Sequence, residues 1–332
     1  MGRRRLTLAA VAAAIGLFAL VAGSRPRQFV VEGLSMGPGL LPGDRVATGP
    51  WPLVDRWRKP TRFARWVVAA PHGAPALKRV VGLPGEVLSI RGGDLAIDGR
   101  QILAAPAILA EVATCLATDF APPAPEPAFE SGDDDVWRWR VAVPEVLDDA
   151  GFAPRERRVL LPVRDIGLAA IVRLNQLPAE TARLAARIGN RRIVWRLPAP
   201  GRYAVVAGRL DGHLVGAAWL LNVASAAVRD CLPPGGPEAW DVAVTWPGDE
   251  GPPQALELGM RALPREDAAR CVERLAIWRD VFWRPAADQV EEWRLGADEF
   301  FLLGDFPSGS RDSRHWGPLG RGSLRHRITR GR

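Results

Sequence analysis

The sequence predicts a mainly β protein, and three observations carry that expectation. Short apolar runs alternate with turn dipeptides (Pro42-Gly43, Pro84-Gly85, Gly92-Gly93 and Asp98-Gly99), which is the punctuation of antiparallel hairpins. The same pattern returns near the carboxyl end, at Glu299–Leu303 and Leu324–Thr329. Between the two lies a long stretch of further apolar, β-leaning segments. The first part reads as strands at Phe29–Val31, Arg45–Ala47, Trp66–Ala70, Lys78–Gly82, Glu86–Ile90 and Leu95–Ile97. The intervening stretch opens on a Pro/acidic run, Ala121–Asp135, that reads as a solvated loop, and Glu180–Ile188 has helical character. Strands are expected at Arg192–Trp195, Tyr203–Ala207, Leu214–Val223, Asp241–Trp246, Leu256–Leu258 and Leu275–Trp283. The division that follows is a basic tail over 1–5, a hydrophobic anchor over 6–23, a β core split into 24–105 and 293–332, and an inserted, mostly β domain, of sandwich type, over 106–292.

Charge narrows the function classes. The chain has 332 residues, 44 Lys+Arg against 37 Asp+Glu, and a formal net charge of +7. Eight of the arginines are Arg3, Arg4 and Arg5 at the start and Arg321, Arg325, Arg327, Arg330 and Arg332 at the end, so residues 6–320 carry a net charge of −1. A basic nucleic-acid face is not expected on such a body. Only Lys59 and Lys78 are lysines, so wherever bare positive charge suffices this chain uses arginine. The three cysteines (Cys115, Cys231, Cys271) show no metal-ligand spacing, and they read either as buried thiols or as one Cys231–Cys271 bridge. No metal-protease, phosphate-loop or dinucleotide signature is present, so no cofactor and no metal are expected.

Leu6–Gly23 is an uncharged run behind three arginines. As a helix it would extend about 27 Å, enough for the hydrocarbon core of a bilayer. It reads either as a single-pass anchor with its amino terminus inside or as a cleaved export signal. Both readings put the body outside the cytoplasm.

Three clusters carry chemistry. The first, Gly33-Leu34-Ser35-Met36-Gly37-Pro38-Gly39-Leu40, presents a serine on a stiff turn close behind the hydrophobic run. The second, Leu77-Lys78-Arg79-Val80-Val81-Gly82-Leu83-Pro84-Gly85-Glu86, sends a lysine into an apolar strand. Arginine stays charged at any working pH, whereas a buried lysine can lose its proton and serve as a base. The third, Gly304-Asp305 followed by Ser310-Arg311-Asp312-Ser313-Arg314-His315-Trp316-Gly317, mixes hydroxyls, acids and arginines in a turn-rich stretch. The four histidines stand in no triad setting.

Taken in this order, the clusters resemble the sequence boxes of type I signal peptidases (leader peptidases), membrane-anchored Ser/Lys proteases. Ser35-Met36-x-Pro38-x-Leu40 resembles the nucleophile box, Lys78 to Glu86 the lysine box, and Gly304-Asp305 with Ser310 to Gly317 the closing box. The resemblance covers about residues 1–105 and 293–332. It implies an antiparallel β catalytic core of signal-peptidase type on the extracytoplasmic side of the cell inner (plasma) membrane, acting on exported preproteins after small-residue (A-x-A-like) sites. By that resemblance Ser35 is the nucleophile and Lys78 the general base; Ser310 positions the Lys78 amine, and Asp312 and Arg314 pair to hold their loop. Gly33 stands where some members carry an oxyanion-supporting serine, and Phe306-Pro307 replaces the Asn-bearing part of the closing box. The competing readings are a membrane-tethered pseudoprotease or binding module whose insert engages an envelope partner, and a related Ser/Lys maturation protease.

Overall fold

The computed structural model describes residues 16, 26–49, 55–117, 126–127, 136–143, 145–146, 162–174, 183–221, 232–233, 236–246, 253, 255–261, 270–284 and 292–331. Nearly all of the 6–23 run and most of the Pro/acidic run lie outside them, as does Cys231. Among the described residues no helix is long and apolar enough to cross a membrane.

The strands in chain order begin with β1 (Gln28–Val30), β2 (Arg45–Thr48), β3 (Arg65–Ala69), β4 (Pro75–Gly82), β5 (Val87–Arg91), β6 (Asp94–Ile97) and β7 (Arg100–Gln101). Helix α1 (Pro106–Val112) follows, then β8 (Thr114–Ala117), β9 (Glu126–Pro127), β10 (Val136–Ala142), β11 (Ile166–Leu174), β12 (Arg183–Ile188) and β13 (Arg191–Arg196). Next come β14 (Gly201–Leu210), β15 (His213–Leu220), β16 (Val242–Thr245), β17 (Ala255–Arg261) and β18 (Val272–Arg279). The chain closes with β19 (Glu292–Arg294), β20 (Glu299–Leu303), helix α2 (Ser313–Trp316), β21 (Leu319–Gly320) and β22 (Leu324–Gly331). The pairings are antiparallel throughout, as the turn punctuation predicts.

Two compact units result: one of Met1–Ile90, Ile97–Gly99 and Arg284–Arg332, the other of Arg91–Ala96 and Arg100–Trp283. In the first, a seven-stranded sheet runs β1-β2-β22-β3-β4-β20-β21. Strands from both ends of the chain therefore interleave: β22 lies between β2 and β3, and β20 pairs with β4. Trp66, Val68, Val80, Phe300, Leu302 and Leu324 form one buried cluster, while Val31, Met36, Leu40, Val46, Val67 and Ile328 form another.

In the second unit, a five-stranded sheet (β13-β12-β17-β10-β9) and a six-stranded sheet (β16-β15-β14-β11-β18-β8) contribute side chains to one shared core. One expectation fails here: 183–188, read as helical, is strand β12. Its Ala, Leu and Arg residues favour helix locally, but Leu184, Ala186 and Ile188 recur at period two, are fully buried, and pair on both flanks with β13 and β17. Two-sided ladder pairing overrides propensity. Strand β11 has no counterpart in the sequence reading; seven of its nine residues are buried in succession, and such a run lacks the alternation that marks a half-exposed strand. Cys271 is a buried thiol directed at the Met260 sulfur, 3.8 Å away.

Trp278 fixes the spacing of the six-stranded sheet. Its ring lies over the paired Gly167 and Gly208, and its Nε1 donates to the Leu168 carbonyl at 3.0 Å. A Cβ on Gly208 would stand 2.5 Å from the ring and 2.7 Å from the Gly167 Cα. Gly208→Ala is expected to destabilise the protein by about 1–3 kcal/mol, read as a lower urea midpoint.

Candidate functional site

Ser35 lies on the loop between β1 and β2. The loop is closed at its base by Val31 N–H to Asp44 O (2.9 Å) and Gly43 N–H to Val31 O (2.8 Å), and tightened inside by Gly37 N–H to Leu34 O (2.8 Å). Met36 and Leu40, 0% and 2% exposed, plug its underside into the core. The apolar neighbours thus anchor the turn, while Ser35 itself stays partly accessible.

Lys78 lies on β4, paired with Trp66 of β3. Alternation along the strand sends Lys78 and Val80 to one face and Arg79 to the other. Lys78 is only 3% exposed. Burial lowers its pKa from 10.5 to about 8; Asp312 and Asp305 pull the other way and Arg314 reinforces the drop. Keeping this ammonium out of water costs roughly 3 kcal/mol.

The closing segment reaches both residues. The last ladder pair between β20 and β4 is Leu303 with Arg79, so the next residue, Gly304, falls level with Lys78. A Cβ on Gly304 would overlap the Ser310 hydroxyl and the Ser35 carbonyl, so a glycine there lets Ser35, Ser310 and the Lys78 level approach one another. Phe306 N–H donates to the Ser35 carbonyl at 3.1 Å and ties the serine loop to this segment.

Two buried ion pairs frame the lysine. Arg314 grips Asp312 through Nε to Oδ1 and Nη2 to Oδ2, both 2.8 Å, and also donates to the carbonyls of Arg284, Pro307 and Ser310. Asp312 accepts from Gly304 N–H as well (3.0 Å) and caps α2. Burial alone would raise the Asp312 pKa, but the neighbouring His315, the Arg314 guanidinium and the Gly304 N–H outweigh it and hold the carboxyl well below its usual range. On the opposite face of β4, Arg79 makes a second two-pronged pair with Asp305 at 2.8 and 2.7 Å, and its Nη1 reaches the Phe63 carbonyl at 2.6 Å. Both side chains of that pair are essentially inaccessible.

All five sequence-predicted site residues, Ser35, Lys78, Ser310, Asp312 and Arg314, belong to the first unit. The Asp312–Arg314 pair forms as expected. The Ser310 hydroxyl is buried and makes no hydrogen bond, so the expected bond to the Lys78 amine is not formed in this structure. His315 uses Nδ1 to accept from Asp312 N–H at 3.3 Å, a capping role. The sequence reading assigned no role to the Arg79–Asp305 pair; the signal was there in the charged residue that follows Lys78 within an apolar strand, because alternation requires it to find a partner on the other face. Asp305 and Asp312 are both engaged by guanidinium groups, which leaves the site suited to proton transfer rather than to holding a cation.

The pairing makes the stability effect of the lysine readable. Replacing Lys78 strands no carboxylate, since each acid keeps its own arginine. Lys78→Met is therefore expected to stabilise the fold at pH 7 by about 1–3 kcal/mol in chemical denaturation. The folded-state pKa lies below the unfolded value, so wild type recovers stability as pH rises from about 8 to 10.5, and the advantage of the variant fades over that window. Asp305→Ala, which leaves Arg79 buried without its acid, is expected to cost about 3–5 kcal/mol in the same measurement.

The family model described as signal peptidase, peptidase S26, matches residues 4–115, about one third of the chain. No curated protein matches. Through that amino-terminal third, which holds both Ser35 and Lys78, the chain is similar to the signal peptidase family, peptidase S26.

Proposed function

We propose that the protein is a signal-peptidase-like endopeptidase that removes signal peptides from exported preproteins after small-residue sites, with Ser35 as nucleophile and Lys78 as general base. The observation that carries this reading is the buried Lys78 with its pKa near 8, level with the glycine against which the Ser35 backbone and the Ser310 hydroxyl pack. An amine in that state is neutral in about a tenth of molecules at pH 7, against well under a thousandth for an ordinary lysine, and can accept a proton.

In this mechanism the neutral Lys78 Nζ takes the proton of Ser35 Oγ as that oxygen attacks the scissile carbonyl. The Ser35 N–H supports the developing oxyanion. The proton then passes from Nζ to the departing amine, which leaves an acyl group on Ser35, and a water deprotonated by Lys78 hydrolyses the ester. Ser310, whose hydroxyl has no hydrogen bond of its own, is the residue proposed to turn the amine toward Ser35 once substrate closes the site. Asp312 and Arg314 hold the loop that carries Ser310. The similarity to signal peptidases supports a placement of the site at the outer face of the plasma membrane with the 6–23 run as its anchor, where signal-peptide substrates and the lipid bilayer would be its partners.

Ser35→Ala and Lys78→Arg are each expected to lower cleavage of a preprotein with an A-x-A site by about 10³-fold or more while circular dichroism stays unchanged. Lys78→Arg retains charge and bulk but not the base, so an active variant overturns the dyad. In wild type, kcat/KM is expected to rise with pH through an apparent pKa near 8, the point at which Lys78 becomes neutral. A chain lacking 106–292 is expected to keep residual proteolysis, whereas an intact protein inert on several preproteins favours the binding-module reading.

A further inference from the structure

The second unit contains a group of buried acids unrelated to the peptidase residues. Asp94 opens β6, Asp165 immediately precedes β11, Asp211 sits in the turn between β14 and β15, and Asp280 follows β18. One carboxylate oxygen from each of Asp94, Asp165 and Asp211 lies within 4.8 Å of the other two. The backbone holds the segments in place: Asp280 N–H donates to the Asp165 carbonyl at 3.0 Å, and Asp211 adopts a positive φ of 46° ahead of Gly212. Gln101 donates to Asp94 Oδ2 at 2.8 Å and orients that side chain. Asp165, Asp211 and Asp280 are buried, and Asp94 is half-buried and open to solvent on one side.

A second observation concerns Asp165 alone. Its Oδ1 is inaccessible to water and accepts no hydrogen bond. Arg209 stands beside it, but with Nε 3.9 Å away, outside hydrogen-bond reach, and with the guanidinium over the Trp246 ring. A buried carboxylate oxygen without a donor is costly and uncommon in a folded protein. The cluster therefore takes up either protons or a cation.

We propose that Asp94, Asp165 and Asp211 form a binding site for a divalent cation, calcium foremost. The donors are all oxygens, which selects a hard ion. Three protein carboxylates gathered within 4.8 Å at a largely buried place suit calcium, which accepts irregular all-oxygen coordination, better than magnesium, which usually keeps several of its waters. Asp280 adds a fourth carboxylate nearby, so the local charge stays negative after Arg209 is counted, as a bound cation requires. Asp94, the most accessible of the three, gives the route of entry, and Gln101 is its positioning partner. Ligands so far apart in sequence leave no motif, which is why spacing alone pointed to no metal. Bound there, the ion ties the start of β6 to the segment before β11 and to the turn between β14 and β15, and removes their mutual repulsion.

The test uses the full-length protein, stripped with chelator and examined by titration calorimetry and thermal unfolding with calcium, magnesium or sodium chloride near neutral pH. One calcium per chain with a Kd of about 1 mM or tighter, and a calcium-dependent rise in Tm, is the expected result. Asp211→Asn and Asp165→Asn are expected to weaken calcium binding at least about tenfold and to abolish the rise, yet to unfold no earlier than wild type without calcium, because each removes a like charge. Asp94→Asn, at the accessible edge, provides the same reading if a buried variant fails to fold. Absence of both binding heat and Tm shift in wild type overturns the site in favour of shared protons; a shift that survives all three substitutions overturns it as well, and stronger binding of magnesium overturns the calcium assignment. None of these readouts depends on peptidase activity.

Discussion

A lysine buried without an acid of its own is the constraint around which the first unit is arranged. Burial costs Lys78 roughly 3 kcal/mol in its charged form, and this cost is what brings the amine within range of losing its proton. A single unengaged carboxylate at ion-pair distance would return about 4 kcal/mol at an effective dielectric of 20, enough to restore the ammonium. Both neighbouring acids are instead held by arginine: Asp312 by Arg314, and Asp305 by Arg79. The chain's preference for arginine thus has a local reason, since an arginine keeps its proton and can neutralise an acid permanently, while the one buried lysine is left to titrate.

The two units treat buried charge in opposite ways. Around Lys78 each acid has a guanidinium within hydrogen-bond distance, and the charge left over is the one intended to move. In the second unit three carboxylates gather within 4.8 Å of one another, and the Arg209 Nε stands 3.9 Å from Asp165, an arrangement that the proposed cation would balance.

Much of the fold was legible in the sequence where the physics is local. Glu299–Leu303 was bounded by the same residues that bound β20, and the turn dipeptides marked the ends of β5 and β6 to within a residue or two. Arg183–Ile188 was misread because Ala, Leu and Arg say helix until neighbours on both sides claim the backbone. In the site, Ser35, Lys78 and the Asp312–Arg314 pair could be read from residue type and order. The bond between Arg79 and Asp305, 226 positions apart, could not, and neither could the convergence of Asp94, Asp165 and Asp211. Contacts set by sheet order leave no trace in spacing.

The interleaving of the seven-stranded sheet has a consequence for the order of assembly. Strand β4 is flanked by β3, made shortly before it, and by β20, made more than two hundred positions later. As the chain emerges, Ser35 and Lys78 are synthesised early, but the walls that dehydrate the amine arrive only with the last few dozen residues. On the proposed function, the serine and lysine therefore meet in their buried setting only when translation is nearly complete. The intervening sandwich, whose pairings all lie within its own span, forms its own ladders meanwhile and shortens the entropic distance over which the final strands must search.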